Sequence, residues 1–118
     1  MSSHDPRVTL RQLAGFADEA LSLVAGQSLP SLLADPVRTR AFERVMELVG
    51  ESAKRIPEEL RALSPAIPWR QITGMRDIIS HAYEDLAYEV LWGAVQRDLP
   101  KLKENISSLL KKLEAENS

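Results

Sequence analysis

Apolar residues recur at three- and four-residue steps through most of the 118-residue chain, which is the spacing of amphipathic helices. The first stripe covers residues 10–24 and is followed by Gly26, so we expect a helix that this glycine terminates. A short connection is predicted over residues 27–34 because it contains Pro30. Asp35-Pro36 then has the sequence of an N-cap followed by a proline in the first helical turn. The first part of the chain therefore predicts two long helices.

The second of these helices is apolar on two sides. A helix with both faces partly apolar is typical of a central helix, or of a helix that contacts a second subunit. The two stripes consist of Val37, Ala41, Val45, Leu48 and Ser52 on one side, with Phe42, Met46 and Val49 beside them.

The second half of the chain is also predicted to be helical. A single turn of helix is expected at residues 57–60, and two prolines within residues 64–68 indicate a loop. A third long helix is predicted from Pro68 or Trp69 to about Ala82. From residue 84 to residue 89 the helical spacing of apolar residues becomes less regular. Residues 90–95 predict a short helix that is interrupted near Leu99-Pro100. A last helix follows, with leucines inward and lysines outward.

The sequence contains no alternating apolar and polar run that is long enough for a strand. We therefore expect the all-α class, as an antiparallel helical bundle. The length is typical of one domain, so residues 1–118 are predicted to form a single helical domain.

Composition narrows the classes of function. The chain has no cysteine, which excludes disulfides and thiolate metal sites, and its two histidines lack metal-ligand spacing, so we expect no metal and no cofactor. No apolar run reaches the roughly 18 residues of a membrane span, and the N-terminus lacks the regions of a signal peptide. We therefore expect a cytoplasmic protein. A net charge of −2 argues against broad nucleic-acid binding, so any RNA contact should be confined to a small cationic cleft.

Arg76, His81 and Tyr83 place a guanidinium, an imidazole and a phenol within eight positions. A guanidinium that braces a phosphate, beside a base that takes a hydroxyl proton, is a minimal set for cutting RNA without metal. Each residue taken alone is more often ordinary surface or core. On a regular helix positions 76 and 81 lie about 140° apart. A common site therefore requires that the helix ends near Ser80, or that a two-fold dimer brings His81 of one chain to Arg76 of the other.

A series of segments in a fixed order carries a more specific signal. The segments are Asp35-Pro36-Val37, Arg40-Ala41, Glu43-Arg44, residues 49–54, residues 67–77, His81-Ala82-Tyr83, Val90-Leu91-Trp92 and residues 98–102. Their order resembles the HepT-like family of the HEPN superfamily, over nearly the whole chain. The run over residues 68–83 is the most specific part, because it has arginine, four residues, histidine, one residue and tyrosine at the family's spacing.

The resemblance implies an all-α homodimer that acts as a metal-independent endoribonuclease on RNA. It also implies the toxin of a type VII toxin–antitoxin pair. The antitoxin partner would be a MntA-like minimal nucleotidyltransferase, with a larger hetero-oligomer left open. By motif position, Arg76 and His81 are implied to form the catalytic centre between protomers, and Tyr83 is implied to receive AMP from the antitoxin.

Asp77 is a candidate supporting residue with two opposite interpretations. Many members of the family have asparagine at this position. A carboxylate there would orient His81 or Arg76, or it would repel the RNA backbone. Glu84-Asp85 and the net negative charge would add to the repulsion of RNA. Together with Asp77 they favour an alternative, in which the protein is a non-catalytic helical partner of a minimal nucleotidyltransferase.

Overall fold

The computed structural model describes residues 5–79 and 85–116, and this part of the chain contains helices and no strand. The predicted all-α class is therefore confirmed. The helices are α1 (Pro6–Val24), α2 (Leu29–Leu33), α3 (Pro36–Lys54), α4 (Glu58–Arg61), α5 (Trp69–Thr73), α6 (Met75–Ile79) and α7 (Asp85–Glu116).

The ends of α1 and the start of α3 follow from local chemistry. The Asp5 carboxylate caps α1 by accepting a hydrogen bond from the amide of Arg7, and Asp35 caps α3 in the same way through the amide of Arg38. After α1 the chain turns at Gly26, whose φ of +73° is a conformation that glycine adopts without a steric penalty. The predicted terminator and N-cap are both confirmed.

The long helices α1, α3 and α7 surround the core. α1 runs antiparallel to both of the others, since Arg38 at the start of α3 donates to the Leu23 carbonyl and Arg11 pairs with Glu114 near the end of α7. Fully buried side chains from all three helices meet between them, and each contributes roughly 1.5–3 kcal/mol of burial free energy. They include Leu10, Leu13, Phe42, Met46, Val49, Leu91, Val95, Leu99 and Leu102.

α3 occupies the centre of the fold. It packs against α1, α2, α5 and α6, as predicted for a central helix. The Phe42, Met46 and Val49 stripe is fully buried, whereas Val37 at the start of the other stripe is 75% exposed. The predicted contact with a second subunit stays a prediction.

Residues 27–34, which were predicted as a connection, contain the short helix α2. Ser28 caps this helix through a reciprocal pair of hydrogen bonds with Ser31, and Pro30 sits in the first turn where its missing N–H is not needed. Leu32 is fully buried and anchors the short helix to the core. The prediction of a plain connection was wrong.

The predicted long helix from residue 68 is wrong, because the chain forms two short helices instead. α5 ends at Thr73, and the Gly74 carbonyl then accepts hydrogen bonds from the amides of Asp77 and Ile78 to start α6. Ile72 of α5 and Met75 of α6 are both buried. The predicted end at Ala82 lies outside the described residues.

The predicted interruption near Leu99-Pro100 is also wrong. α7 continues through Pro100 as one helix, and it already includes residues 85–89, where the pattern loosens. Proline removes one helical hydrogen bond and normally kinks or breaks a helix. Leu99 and Leu102 beside it are fully buried, so core packing offsets this loss. In the described residues, none of the helices combines the length and the apolar character that crossing a membrane requires.

Candidate active site on helices α3 and α6

The backbone of Arg76 is held tightly against α3. Arg76 is the second residue of α6, and α6 approaches α3 at Gly50. A Cβ placed on Gly50 would lie 3.1 Å from the amide nitrogen of Arg76 and 3.3 Å from the Ile72 carbonyl oxygen. Only a glycine permits this close approach of two backbones without displacement. The contact fixes where the Arg76 side chain leaves the fold.

The Arg76 guanidinium lies at the surface beside an acidic residue of α3. Its Nε is 4.0 Å from Oε1 of Glu51, and the Arg76 side chain is 55% exposed while that of Glu51 is 29% exposed. An ion pair this exposed contributes at most about 1 kcal/mol to stability. The pair holds the guanidinium near Glu51, and the Arg76 side chain remains half-exposed. Glu51 was not singled out from the sequence, although it belongs to a segment that resembles the family.

Asp77 follows Arg76 directly and is exposed. Its amide donates to the Gly74 carbonyl at 3.1 Å, so its backbone helps to start α6. Adjacent positions on a helix lie about 100° apart around its axis, so Asp77 and Arg76 do not share one face of α6. Its predicted supporting role stays a prediction.

His81 and Tyr83 lie outside the described residues, as does Glu84. Their predicted roles, and the meeting of His81 with Arg76, stay predictions. Within the ranges that are described, there is also no cluster of three or more His, Cys, Asp or Glu side chains arranged to hold a metal ion.

A second polar pair joins α3 to α7. The Tyr88 hydroxyl donates a 2.8 Å hydrogen bond to Oε1 of Glu43. Burial, followed by this hydrogen bond to a carboxylate, raises the pKa of Tyr88 to about 12. Sequence reasoning missed this pair, because the two residues are 45 positions apart and nothing in their spacing indicates a contact.

A family model described as "Ribonuclease HepT-like" matches residues 10–109. The chain belongs to the HepT-like ribonuclease family. The resemblance seen in the sequence is thereby confirmed.

Individual relatives agree with this membership. A protein of Caldanaerobacter subterraneus subsp. tengcongensis, provisionally named as an RNase, is 34% identical over 91% of this chain and 96% of its own length. A protein of Thermococcus cleftensis, provisionally named ribonuclease HepT, is 40% identical over 67% of this chain and 72% of its own length. A provisionally named RNase of Methanocaldococcus jannaschii is 25% identical over 97% of this chain and 98% of its own length. No solved structure matches the chain. Ribonuclease activity is thus supported at the level of the HepT-like family.

Proposed function

We propose that this HepT-like protein is a metal-independent endoribonuclease, the toxin of a type VII HepT/MntA-type toxin–antitoxin system. The observation that carries the proposal is the placement of Arg76. Its guanidinium is half-exposed and lies beside the Glu51 carboxylate. Arg76 also precedes His81 by five residues, in a chain of the HepT-like family. A positioned guanidinium is suited to a phosphate, because it presents several N–H donors in a planar fork.

The proposed reaction uses two side chains. Neutral His81 takes the proton of a ribose 2′-hydroxyl, and that oxygen attacks the adjacent phosphorus. The bond from phosphorus to the 5′ oxygen breaks, and the leaving oxygen acquires a proton. Arg76 stabilises the negative charge of the transition state. The products are a 2′,3′-cyclic phosphate and a 5′-hydroxyl, and DNA is not cut because it lacks the nucleophile.

The site is proposed to lie between two protomers. On a regular continuation of α6, positions 76 and 81 would diverge by about 140°. In a two-fold dimer each surface meets its own copy, so one protomer's His81 can face the other's Arg76. This arrangement satisfies the geometry without any distortion of the helix.

Regulation is proposed to act through Tyr83 and a MntA-like nucleotidyltransferase partner. Attachment of AMP to the Tyr83 hydroxyl would add a phosphodiester charge close to the site. That charge would repel the substrate phosphate, as other added phosphates do. The modified protein would then be inactive toward RNA. Mass spectrometry after co-expression with the partner should show AMP on Tyr83, and AMP on other residues alone would contradict this part of the proposal.

Cleavage of RNA in the presence of EDTA is the decisive experiment. We expect the native protein to produce 2′,3′-cyclic phosphate ends, and Arg76→Ala to lower the rate by about 10²- to 10³-fold. His81→Ala should be inactive. Arg11→Ala is the matched control, because Arg11 is an exposed arginine on α1 that pairs with Glu114. Cleavage that survives both Arg76→Ala and His81→Ala would overturn the assignment of the site.

The exposed Asp77 beside Arg76 favours a second candidate function. In this alternative the protein is a non-catalytic helical partner of a minimal nucleotidyltransferase, because the carboxylate repels the RNA backbone. Co-purification with the transferase, together with no cleavage of RNA by the unmodified protein, is the result expected for this alternative. Asp77→Asn separates the two functions further, since it should raise RNA cleavage only if the repulsion exists.

A further inference from the structure

A groove between α2, α3 and the start of α7 forms a second polar site. Its volume is about 420 Å³, which is within the range of small-ligand sites. The residues that line it are Leu33, Pro36, Thr39, Arg40, Glu43 and Tyr88. The groove therefore combines a cation, a carboxylate and an aromatic ring with an apolar wall.

The carboxylate in the groove is prepared to accept further hydrogen bonds. Tyr88 donates a hydrogen bond to one oxygen of Glu43. The Glu43 side chain makes no other hydrogen bond or ion pair with the described residues. A carboxylate has about four lone-pair sites, so a ligand donor can bind beside the Tyr88 hydroxyl.

Arg40 supplies the positive charge of the groove. It is exposed, and its side chain forms no ion pair or hydrogen bond with the other residues that the structure describes. Several other cations on the described surface are already paired with carboxylates, among them Arg7, Arg38 and Lys103. Arg40 is thus available to an anion at lower cost, because no existing pair has to be broken.

The groove and Arg76 lie along the same face of α3. Arg40 and Glu51 are 11 residues apart, which on a helix is about 16 Å and within about 20° of the same direction. Glu51 is the residue beside Arg76. An extended strand that follows this face of α3 would therefore reach from Arg76 to the groove.

We propose that this groove is a subsite for one nucleotide of single-stranded RNA, a few nucleotides from the bond cleaved at Arg76. Arg40 contacts the phosphate, the Tyr88 ring contacts the base and Glu43 accepts a hydrogen bond from the base edge. Aromatic contacts and hydrogen bonds to exposed base edges are the usual means of recognising single-stranded RNA.

The subsite rests on the proposed ribonuclease function and adds a base preference to it. A carboxylate accepts a hydrogen bond from the amino group of cytosine. Uracil has no amino group, and its single N–H is flanked by two carbonyl oxygens that repel a carboxylate. The subsite therefore favours cytosine over uracil, two bases of the same size.

Binding of 2′-O-methyl oligonucleotides tests the subsite without the reaction. The blocked 2′-hydroxyl prevents cleavage, so fluorescence anisotropy with labelled cytidine and uridine hexamers reports binding alone. We expect the cytidine hexamer to bind the native protein about 5- to 100-fold more tightly than the uridine hexamer. Glu43→Ala should remove this preference. Tyr88→Phe should reduce it, because the hydroxyl that orients Glu43 is lost.

Arg40→Ala should instead weaken both hexamers equally and lower the slope of log affinity against log salt by about one. Lys111→Ala is the charge-matched control, since Lys111 is exposed on α7 about 35 Å along the helix from Tyr88.

Three results would overturn the subsite. They are no measurable binding of either hexamer, a preference that Glu43→Ala leaves intact, and an effect of Arg40→Ala no larger than that of Lys111→Ala. Binding with the expected preference but no cleavage of RNA would contradict only the ribonuclease function. Cleavage that accompanies any of the three results would contradict only the subsite.

Discussion

Glu51 is a positioning residue for Arg76 in the proposed reaction, because its carboxylate lies 4.0 Å from the guanidinium and is less exposed than the Arg76 side chain. We expect Glu51→Gln to lower kcat for RNA cleavage by about three- to tenfold with little change in KM, since a loosely oriented guanidinium still attracts RNA but stabilises the transition state less well. The free energy of unfolding should change by less than about 1 kcal/mol, as expected for an exposed ion pair.

A double-mutant cycle distinguishes positioning from a general effect of charge. In the Arg76→Ala background, Glu51→Gln should have no further effect on the rate, because the group that it orients is gone. Glu47→Gln is the control on the same helix, since Glu47 pairs with Arg44. Equal effects of Glu51→Gln with and without Arg76 would contradict the positioning role.

Single residues differ in how far the sequence predicts them. Arg76 could be singled out because its spacing to His81 and Tyr83 is local and resembles a family motif. Its contact with Glu51 spans 25 residues and depends on how α6 packs against α3. The pair of Tyr88 with Glu43 spans 45 residues and depends on α7 in the same way. Contacts between helices depend on tertiary packing, so these two pairs could not be predicted from the sequence and were found only in the structure.

Helices were predicted well where an apolar stripe with clear end signals marks the helix. They were predicted poorly where tertiary packing overrides the local preference of a residue to end or continue a helix. The stripes of α1 and α3, with Gly26 and Asp35-Pro36 at their ends, are confirmed. Pro100 misled the prediction, because proline usually ends a helix but here lies between fully buried leucines. The break between α5 and α6 at Gly74 was not predicted, because the apolar spacing of Ile72 and Met75 is that of a continuous helix.

The contact between α3 and α6 depends on the absence of a side chain at Gly50. We expect Gly50→Ala to be destabilising by about 1 kcal/mol. A new Cβ would press on the Arg76 amide of α6 at 3.1 Å and on the Ile72 carbonyl of α5 at 3.3 Å, and overpacking of this kind costs about 1–3 kcal/mol, more than the gain in helix propensity. RNA cleavage should fall as well, because α6 carries Arg76. Urea unfolding and the cleavage assay measure the two effects.

Gly15→Ala is the matched control for this substitution. Gly15 also lies inside a helix, but a Cβ there meets nothing within 4 Å. Gly15→Ala should therefore stabilise the protein by about 0.5–1 kcal/mol through helix propensity alone and leave cleavage unchanged. If Gly50→Ala were stabilising to the same extent, α6 would not be held by the close approach described here.

The hydrogen bond of Tyr88 ties α7 to α3 in a pH-dependent way. The pKa of Tyr88 is raised from 10.0 to about 12 in the folded protein, so the folded state binds the tyrosine proton more tightly than the unfolded state. This stabilisation is complete below about pH 10 and is lost as the pH rises toward 12. For a partly buried group it amounts to about 1–2 kcal/mol.

Urea unfolding at pH 8 and at pH 11.5 checks this link. The native protein should lose more stability between the two pH values than Tyr88→Phe does, because phenylalanine keeps the ring but has no proton to lose. The two proteins are identical in every other ionisable group, so the comparison cancels the effect of those groups. Identical losses in the two proteins would mean that the hydroxyl of Tyr88 does not hold α7 to α3.

At the scale of the whole molecule, a net charge of −2 is compatible with an RNA enzyme only if some of its cations are concentrated in one place. Ion pairs neutralise part of the described surface, including those of Arg11 with Glu114 and of Lys103 with Asp18. Arg40 and Arg76 both lie along one face of α3. This distribution favours brief, local binding of a few nucleotides over tight binding of long RNA.

The proposed shared site makes a quantitative prediction about mixed dimers. When each variant is alone, Arg76→Ala should be slower than the native protein by about 10²- to 10³-fold and His81→Ala should be inactive. After the two variants are mixed and allowed to exchange subunits, about half of the dimers should contain one chain of each kind. In such a dimer the unchanged Arg76 of one protomer faces the unchanged His81 of the other, so one of its two sites is intact. We therefore expect the mixture to recover about a quarter of the native cleavage rate.

A mixture of Arg76→Ala with a double variant, Arg76→Ala and His81→Ala, is the control. No exchange between these chains can create an intact site, so this mixture should stay inactive. If the first mixture also stays inactive although mass spectrometry shows mixed dimers, each site takes both residues from one chain. The chain after α6 would then have to depart from a regular helix, because a continued helix directs residues 76 and 81 about 140° apart.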